Sequence, residues 1–465
     1  MSRKNRAIDL TVGDPLKSIV KFAIPLLLGS VFNQLYNVVD TIIVGRFVSD
    51  RAFGAVGSTF PIVFIAISVG SGLAVGCSVI ISQFVGAKRY KDVRTAMNTS
   101  LILTCIISVV MTALLELVAT PLLRFVNTPE DTFAMAEGYL RWFFTGTFFM
   151  FEYNSVGGIF RALGDSKTPF YLLVLSSFLN IGLDILFVAS FNMGCDGAAI
   201  ATVISQAVCA LLSTILLLKY MRRQYPTKEK GRAYDASMSK TVLRLGFPSM
   251  LQGFALAAAF ILFQMLINSF GSITVSGYTA AIRVQNFAYI PLMDLANAHT
   301  TFVAQNYGAR KPDRIKKGFK STFIAEMVVA VAGGIIVYVF AHPLIALMIG
   351  DADPEIYRLG IYHLRKIAMI LPVSALMYIY ESYMRGLGEM NLVFGATLFG
   401  MVLRTVVSFL VIPNLGFPSV WWCEMLGDLG EALAIIIVYY ARVKKRVDKY
   451  LTSPPETQEE AVKAQ

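Results

Sequence analysis

The chain carries twelve long apolar runs, at 18–44, 53–84, 94–122, 135–160, 168–190, 197–218, 241–269, 277–304, 317–349, 360–384, 392–412 and 420–441. A helix of about 20 such residues crosses the roughly 30 Å hydrocarbon core of a bilayer. Inside lipid a chain must satisfy its own backbone hydrogen bonds, which leaves helices and closed β-barrels as the spanning structures. A barrel strand would alternate apolar and polar residues over about ten positions, and these runs do not alternate. Only 15% of the residues are charged, against about 25% in soluble domains. The sequence therefore predicts an all-α polytopic membrane protein with twelve transmembrane helices.

A net charge of +11 could suit nucleic acid, but its placement argues for membrane topology. Basic residues cluster at Arg3/Lys4/Arg6, Lys88/Arg89/Lys91/Arg94, Arg161/Lys167, 219–244, 310–320 and 442–449. The loops between, around 46–51, 192–197, 271–276 and 414–419, are nearly uncharged. That alternation is the positive-inside pattern, which puts both termini and every basic loop in the cytoplasm and leaves no nucleic-acid partner to expect. The polar N-terminus shows no short apolar region with a cleavage site, so no removable signal is expected. Five cysteines without metal-like spacing read as packing residues.

The chain also repeats itself. Gln83-Phe-Val-Gly-Ala-Lys88 recurs as Gln305-Asn-Tyr-Gly-Ala-Arg310, Arg161-Ala-Leu-Gly-Asp165 as Arg385-Gly-Leu-Gly-Glu389, and Lys21-Phe-Ala-Ile-Pro25 as Arg244-Leu-Gly-Phe-Pro248. Each copy holds six spans, an even number, so the copies share one topology and form two parallel-repeat six-helix bundles. The expected division is an N-lobe over 1–220, a cytoplasmic linker over 221–240, a C-lobe over 241–445 and a cytoplasmic tail over 446–465. Two lobes around a cavity suit an alternating-access transporter, with an ion channel or intramembrane scaffold as the alternative from another class.

The repeat is an internal control for polar residues in the spans. Asn33, Asn37 and Asp40 share a face of the first helix, with Tyr36 beside them, and Asp40 pairs with Phe263 in the second copy. Asn180 and Asp184 share a face of the fifth span, and their partners are Arg404 and Ser408. At 1.5 Å per residue, Asp40, Asp184 and Thr202 all fall roughly 7–9 Å below the uncharged boundary. Two carboxylates, an amide and a hydroxyl at one level form a hard-cation site for Na⁺, or a proton site, because two close carboxylates cannot both stay charged. A buried hydrogen-bonded network is the plain alternative. Asn33, Tyr36 and Asn37 are candidates to extend the site toward a substrate cavity, and Asp294 and His299 to bind substrate or a proton. Arg404 with Glu424 and Asp428 reads as a structural ion pair. Pro25, matched by Pro248, is a candidate hinge. No HExxH, P-loop or GxSxG pattern is present, so neither an enzyme nor a cofactor is expected.

These features resemble the multidrug and toxic compound extrusion (MATE) family. The resemblance rests on the duplicated plan, the opening FAIPLLLGSVFNQLYNVVDTIIVGR, and the QFVGA/QNYGA and FRALGD/MRGLGE pairs, and it covers about 15–445. It implies a V-shaped pair of six-helix bundles, monomeric, in a bacterial or archaeal cytoplasmic membrane. The implied activity is export of organic cations or other xenobiotics in exchange for Na⁺ or H⁺. In one branch the first-lobe site matches Asp40, Asn180, Asp184 and Thr202 with the backbone carbonyl of Ala198, and the first helix is proposed to bend near the proline matching Pro25. The second-lobe carboxylates of another branch are replaced by Leu256 and Ser374. A lipid-linked oligosaccharide flippase of the wider superfamily remains the nearer alternative. Asp40→Asn is expected to abolish efflux-dependent drug resistance without lowering expression; undiminished export would remove Asp40 from the site.

Overall fold

A computed structural model describes residues 7–48, 50–125, 128–224, 231–350 and 353–452. The first repeat folds into α1 (Pro15–Phe47), α2 (Asp50–Gly86), α3 (Tyr90–Phe125), α4 (Glu130–Ala162), α5 (Lys167–Asp184) and α6 (Gly194–Gln224). The second folds into α7 (Ala236–Asn268), α8 (Ser272–Gly308), α9 (Pro312–Val339), α10 (Ala341–Ile349), α11 (Pro354–Leu387), α12 (Met390–Leu415), α13 (Val420–Val438) and α14 (Lys444–Thr452). Nine of the described helical segments are long and apolar enough by themselves to cross a membrane.

The elements fall where the apolar runs predict, apart from local interruptions, one of them the π-helical turn Ile185–Ser190 that ends the fifth run. The ninth run is split: α9 stops at Val339 and α10 starts at Ala341. Pro343 has no N–H, and its ring would collide with the carbonyl four residues back, at Val339. The twelfth run passes through a π-helical turn, Tyr439–Val443, before α14.

The first helix of each repeat changes partners along its length. The early part of α1 (Ile19, Phe22, Ala23) is buried in a core with Phe302, Tyr383, Met384 and Ile435 of the second repeat. Its later part sets Ile43 against Val188 and Ala198 of the first. Helix α7 mirrors this: Val242 and Leu245 join Cys77, Phe160 and Leu217 of the first repeat. Further along, Phe263 and Ile267 join Tyr278, Ile412 and Phe417 of the second. Pro25 and Pro248 lie inside their helices at the change of partner. The lobes are therefore knitted together by an exchange of half-helices.

The repeated motifs close the seam at the basic end. Gln83 donates its amide to the Gly386 carbonyl at 3.3 Å, and Gln305 does the same to Ala162 at 2.9 Å. Each copy of the first motif thus caps the other copy of the second. Gly86 and Gly308 make this possible, because a Cβ at Gly86 would lie 1.8 Å from the Gln305 carbonyl oxygen and one at Gly308 1.9 Å from that of Gln83. The segment before α1 straps the same end: Ile8 donates to Gly164, Leu10 to Gln305, and Arg314 to the carbonyls of Leu10, Val12 and Gly13. Toward the uncharged end α7 is exposed at Leu256, Phe260, Ile261, Leu262 and Met265.

Replacing either glycine by alanine should force the seam apart, at a cost of about 1–3 kcal/mol typical of overpacking. The measurement is the distance between spin labels across the basic end, which should lengthen in Gly86→Ala and Gly308→Ala; an unchanged distance contradicts the packing.

Candidate ion-coupling site

The last turn of α5 presents Asn180 and Asp184, both essentially fully buried, and a π-helical turn, Ile185–Ser190, follows at once. Such turns place one extra residue in the helix and shift the side chains that follow. Across from them α6 supplies Ala198 and Thr202, and α1 supplies Tyr36.

The hydrogen bonds around the Asn180 amide settle its orientation. One edge faces the Thr202 backbone N–H at 3.1 Å and the Thr202 hydroxyl at 3.2 Å. A backbone N–H only donates, so this edge is the amide oxygen. The nitrogen edge then donates to an Asp184 carboxylate oxygen at 2.7 Å and to the Tyr36 hydroxyl at 3.2 Å. The Thr202 hydroxyl also lies 3.1 Å from the Ala198 carbonyl, a turn back on α6. Asn180 thus joins α1, α5 and α6 through one planar group.

The side chains of Asn37 and Asp40 lie outside the described residues, though α1 runs unbroken through both. Asp40 follows Tyr36 by four residues and so shares its helix face. Tyr36, expected near the cavity, belongs to the Asn180 cluster, and Asn33 is exposed on α1. The described groups here are oxygen donors plus one amide, a set suited to a proton or a hard cation. Among the described residues no group of three His, Cys, Asp or Glu is arranged to hold a metal ion.

The second lobe distributes its charges differently from the sequence expectation. Arg404 pairs with Glu424 at 3.0 Å, and its guanidinium sits 4.5 Å from the Phe263 ring centre. Asp428 takes another partner, the Ser374 hydroxyl at 2.5 Å, which lies 3.0 Å from the Tyr289 hydroxyl. Their spacing along α13 explains the separation: four residues set Asp428 about one turn along from Glu424, where it bonds Ser374 while Arg404 acts on it only through its charge. His299 lies in the core of the second repeat. It is fully buried, bonded to Ser382 at 2.8 Å and surrounded by Phe302, Phe319 and Tyr383. An imidazole fits such a core because one ring nitrogen is satisfied and the ring face is apolar.

Asp294 faces the lobe seam, within range of Ser30 on α1 and Arg161 on α4. The repeat accounts for this pairing across lobes. Arg385 meets Glu381 one turn back on its own helix, whereas the matching position before Arg161 is Gly157. Asp294 itself stands where the first repeat has Gly72, whose missing side chain lets α2 pack on the backbone of α7 at Gly246 and Met250. Glu152, in the middle of α4 near Cys77 and Cys105, escaped the sequence reading. Its signal was available, since the repeat partner is Leu376.

Two helical bundles formed by repeated halves, with an acid–amide cluster buried in one of them, define a membrane transporter fold. The MatE family profile matches the chain twice, over 25–186 and 248–410, at the spacing of the internal repeat. The chain belongs to the MatE family, the multidrug and toxic compound extrusion transporters. It is 28% identical over 432 residues to the probable multidrug resistance protein YpnP of Bacillus subtilis, covering 92% of this chain and 93% of that one. It is 22% identical to the multidrug export protein MepA of Staphylococcus saprophyticus, over 93% and 95% of the two chains. Among solved structures, one described as the outward-facing conformation of a multidrug resistance MATE family transporter superposes with a TM-score of 0.87. It shares 25% identity over 97% of this chain and 100% of that one. A MATE structure in a bent conformation matches with a TM-score of 0.86 over 96% of this chain and 98% of its own, and one in a straight conformation with 0.85 over 97% and 100%, both at 24% identity.

Thr202→Val removes the hydroxyl while keeping the shape. Losing one such hydrogen bond at about 0.5–1.5 kcal/mol should weaken binding of the coupling cation roughly 3- to 10-fold, while Thr202→Ser holds it near wild type. Equal affinities for valine and serine, read by titration calorimetry or pH-dependent fluorescence, would contradict the assignment.

Proposed function

We propose that this chain is a secondary active efflux antiporter, exporting cationic or amphipathic small molecules in exchange for H⁺ or Na⁺ by alternating access. In this reading it acts as a monomer in the cytoplasmic membrane with both termini inside, and its lobes divide at the charged linker over 221–240. The observation that carries the reading is the Asn180 amide, which donates both to Asp184 and to the Tyr36 hydroxyl. It ties the buried acid to the half of α1 that lies beyond Pro25.

The chemistry follows from the hydrogen bonds. While Asp184 is ionised, it accepts from the Asn180 amide, and the amide also holds Tyr36. A proton or Na⁺ on Asp184 competes with the amide for the carboxylate and loosens the hold of α5 on α1. Pro25 donates no hydrogen bond to the Lys21 carbonyl, so the later half of α1 can tilt there without breaking one. Tilting changes how α1 divides its packing between the two lobes. A cation drives the cycle only insofar as it binds one lobe arrangement better than the other. The names of YpnP and MepA support a multidrug substrate range. The Arg404–Glu424 pair neutralises itself and serves as fixed structure in the second lobe.

The test is transport of a planar organic cation such as ethidium in proteoliposomes, with ΔpH and ΔNa⁺ imposed separately. Wild type should accumulate substrate against its gradient under one of them, and Asp184→Asn should lose uphill transport while keeping its thermal unfolding midpoint. Ion flux without substrate counterflow would overturn the reading in favour of a channel.

A further inference from the structure

A cavity lies at the basic end of the seam, and none of the acid-cluster residues lines it. It measures about 460 Å³ and is lined from both repeats, with Lys88 and Arg89 on one side and Arg310 and Lys311 on the other. These are repeat-equivalent positions, so each lobe contributes one lysine and one arginine in mirrored order. Lys88 and Arg310 both adopt left-handed backbone conformations, φ 57° and 53°, just after α2 and α8 end. The two turns are therefore built alike and face each other across the Gly86–Gly308 contact.

Among the described residues no acidic one lines the cavity. Arg89 is bonded to Asp92 at 2.6 Å, and Lys311 donates to the Thr11 carbonyl at 2.8 Å. Lys88 makes no ion pair among the described residues. Tyr307 and Tyr450 stack at 4.7 Å and form an aromatic wall, with the Arg310 guanidinium 4.7 Å from the Tyr450 ring centre. Cytoplasmic loops gather positive charge for topology alone, but topology asks only for charge near the membrane. It does not ask for two matched pairs converging on one cavity at the place where the lobes touch.

We propose that this cavity binds a phosphate-bearing anion, held between Lys88/Arg89 and Arg310/Lys311, and that its occupancy stabilises the arrangement in which the basic end is closed. Lysine and arginine recognise phosphate through charge-assisted hydrogen bonds, and the volume accommodates a diphosphate. The anion bridges residues of both repeats, so separating the lobes here divides its ligands. Binding must then favour the closed arrangement by the ratio of its affinities for the two. The phosphate can come from an anionic lipid headgroup or from a soluble phosphate ester.

The test uses the full chain with pyrophosphate as the soluble probe and phosphatidylglycerol vesicles as the lipid probe, against phosphatidylcholine vesicles. The readouts are binding by titration calorimetry and the distance between spin labels across the basic end. A soluble ligand predicts pyrophosphate binding in phosphatidylcholine, with a narrowed short-distance population. A lipid ligand predicts the same narrowing in phosphatidylglycerol without pyrophosphate. In either case Lys88→Gln combined with Lys311→Gln should weaken the effect roughly ten-fold or more, and Lys88→Arg with Lys311→Arg should preserve it. Lys88→Gln alone, at an exposed side chain, should weaken it in the same direction without disturbing the Lys311–Thr11 contact. No response to either probe overturns the proposal, as does a response unchanged in the glutamine variants.

Discussion

The structure depends on the exchange of half-helices between its two lobes. Each bundle completes part of its apolar core by accepting the early part of the other repeat's first helix, α7 on one side and α1 on the other. Burying an Ile, Phe or Leu side chain is worth about 1.5–3 kcal/mol, so neither lobe can release that half-helix cheaply. Motion is confined to where the helices change partners, and there each repeat places a proline. The clasp of Gln83 and Gln305 over the opposite repeat's turn follows from the same geometry, because the exchange brings the ends of α2 and α8 together.

On this near-symmetric frame the polar groups are arranged without symmetry. The first lobe holds a buried acid that shares an amide with α1, while the second holds an arginine that a neighbouring glutamate neutralises. Arg161 lacks the acidic partner that Glu381 gives Arg385, and the charge of Asp294 acts on it from across the seam. A duplicated scaffold thus carries different buried polar groups in its two lobes, an acid–amide cluster in the first and an Arg404–Glu424 ion pair in the second.

Much of the architecture was legible in the residues. Apolar run lengths located the spans, and the repeat offset set the number and topology of the bundles. Depth counting brought Asp184, Asn180 and Thr202 together, because rise per residue is a property of the helix itself. Other features were not legible, for physical reasons. Helical periodicity marks which face is buried but not against which lobe, so the crossing of α1 and α7 was hidden. The π-helical turn after Asp184 depends on packing rather than on any residue type. The hydrogen bonds of His299 and Asp428 to Ser382 and Ser374 are not legible in the sequence, because a polar side chain in an apolar run looks the same whether it lines a cavity or completes a hydrogen bond in the core. Pro343 was visible, yet α3 carries the matching Pro121 without a break, so the proline alone did not decide that α9 stops.

The most direct test of the central claim is the distance between spin labels at Phe191 and Leu415, exposed sites at the uncharged ends of the first and second lobes, measured with and without the coupling cation. Cation binding at Asp184 is predicted to shorten this distance in the wild type and to leave it unchanged in Asp184→Asn. An equal shift in both proteins would contradict the account, because it would place the coupling of ion to lobe movement outside the first-lobe site.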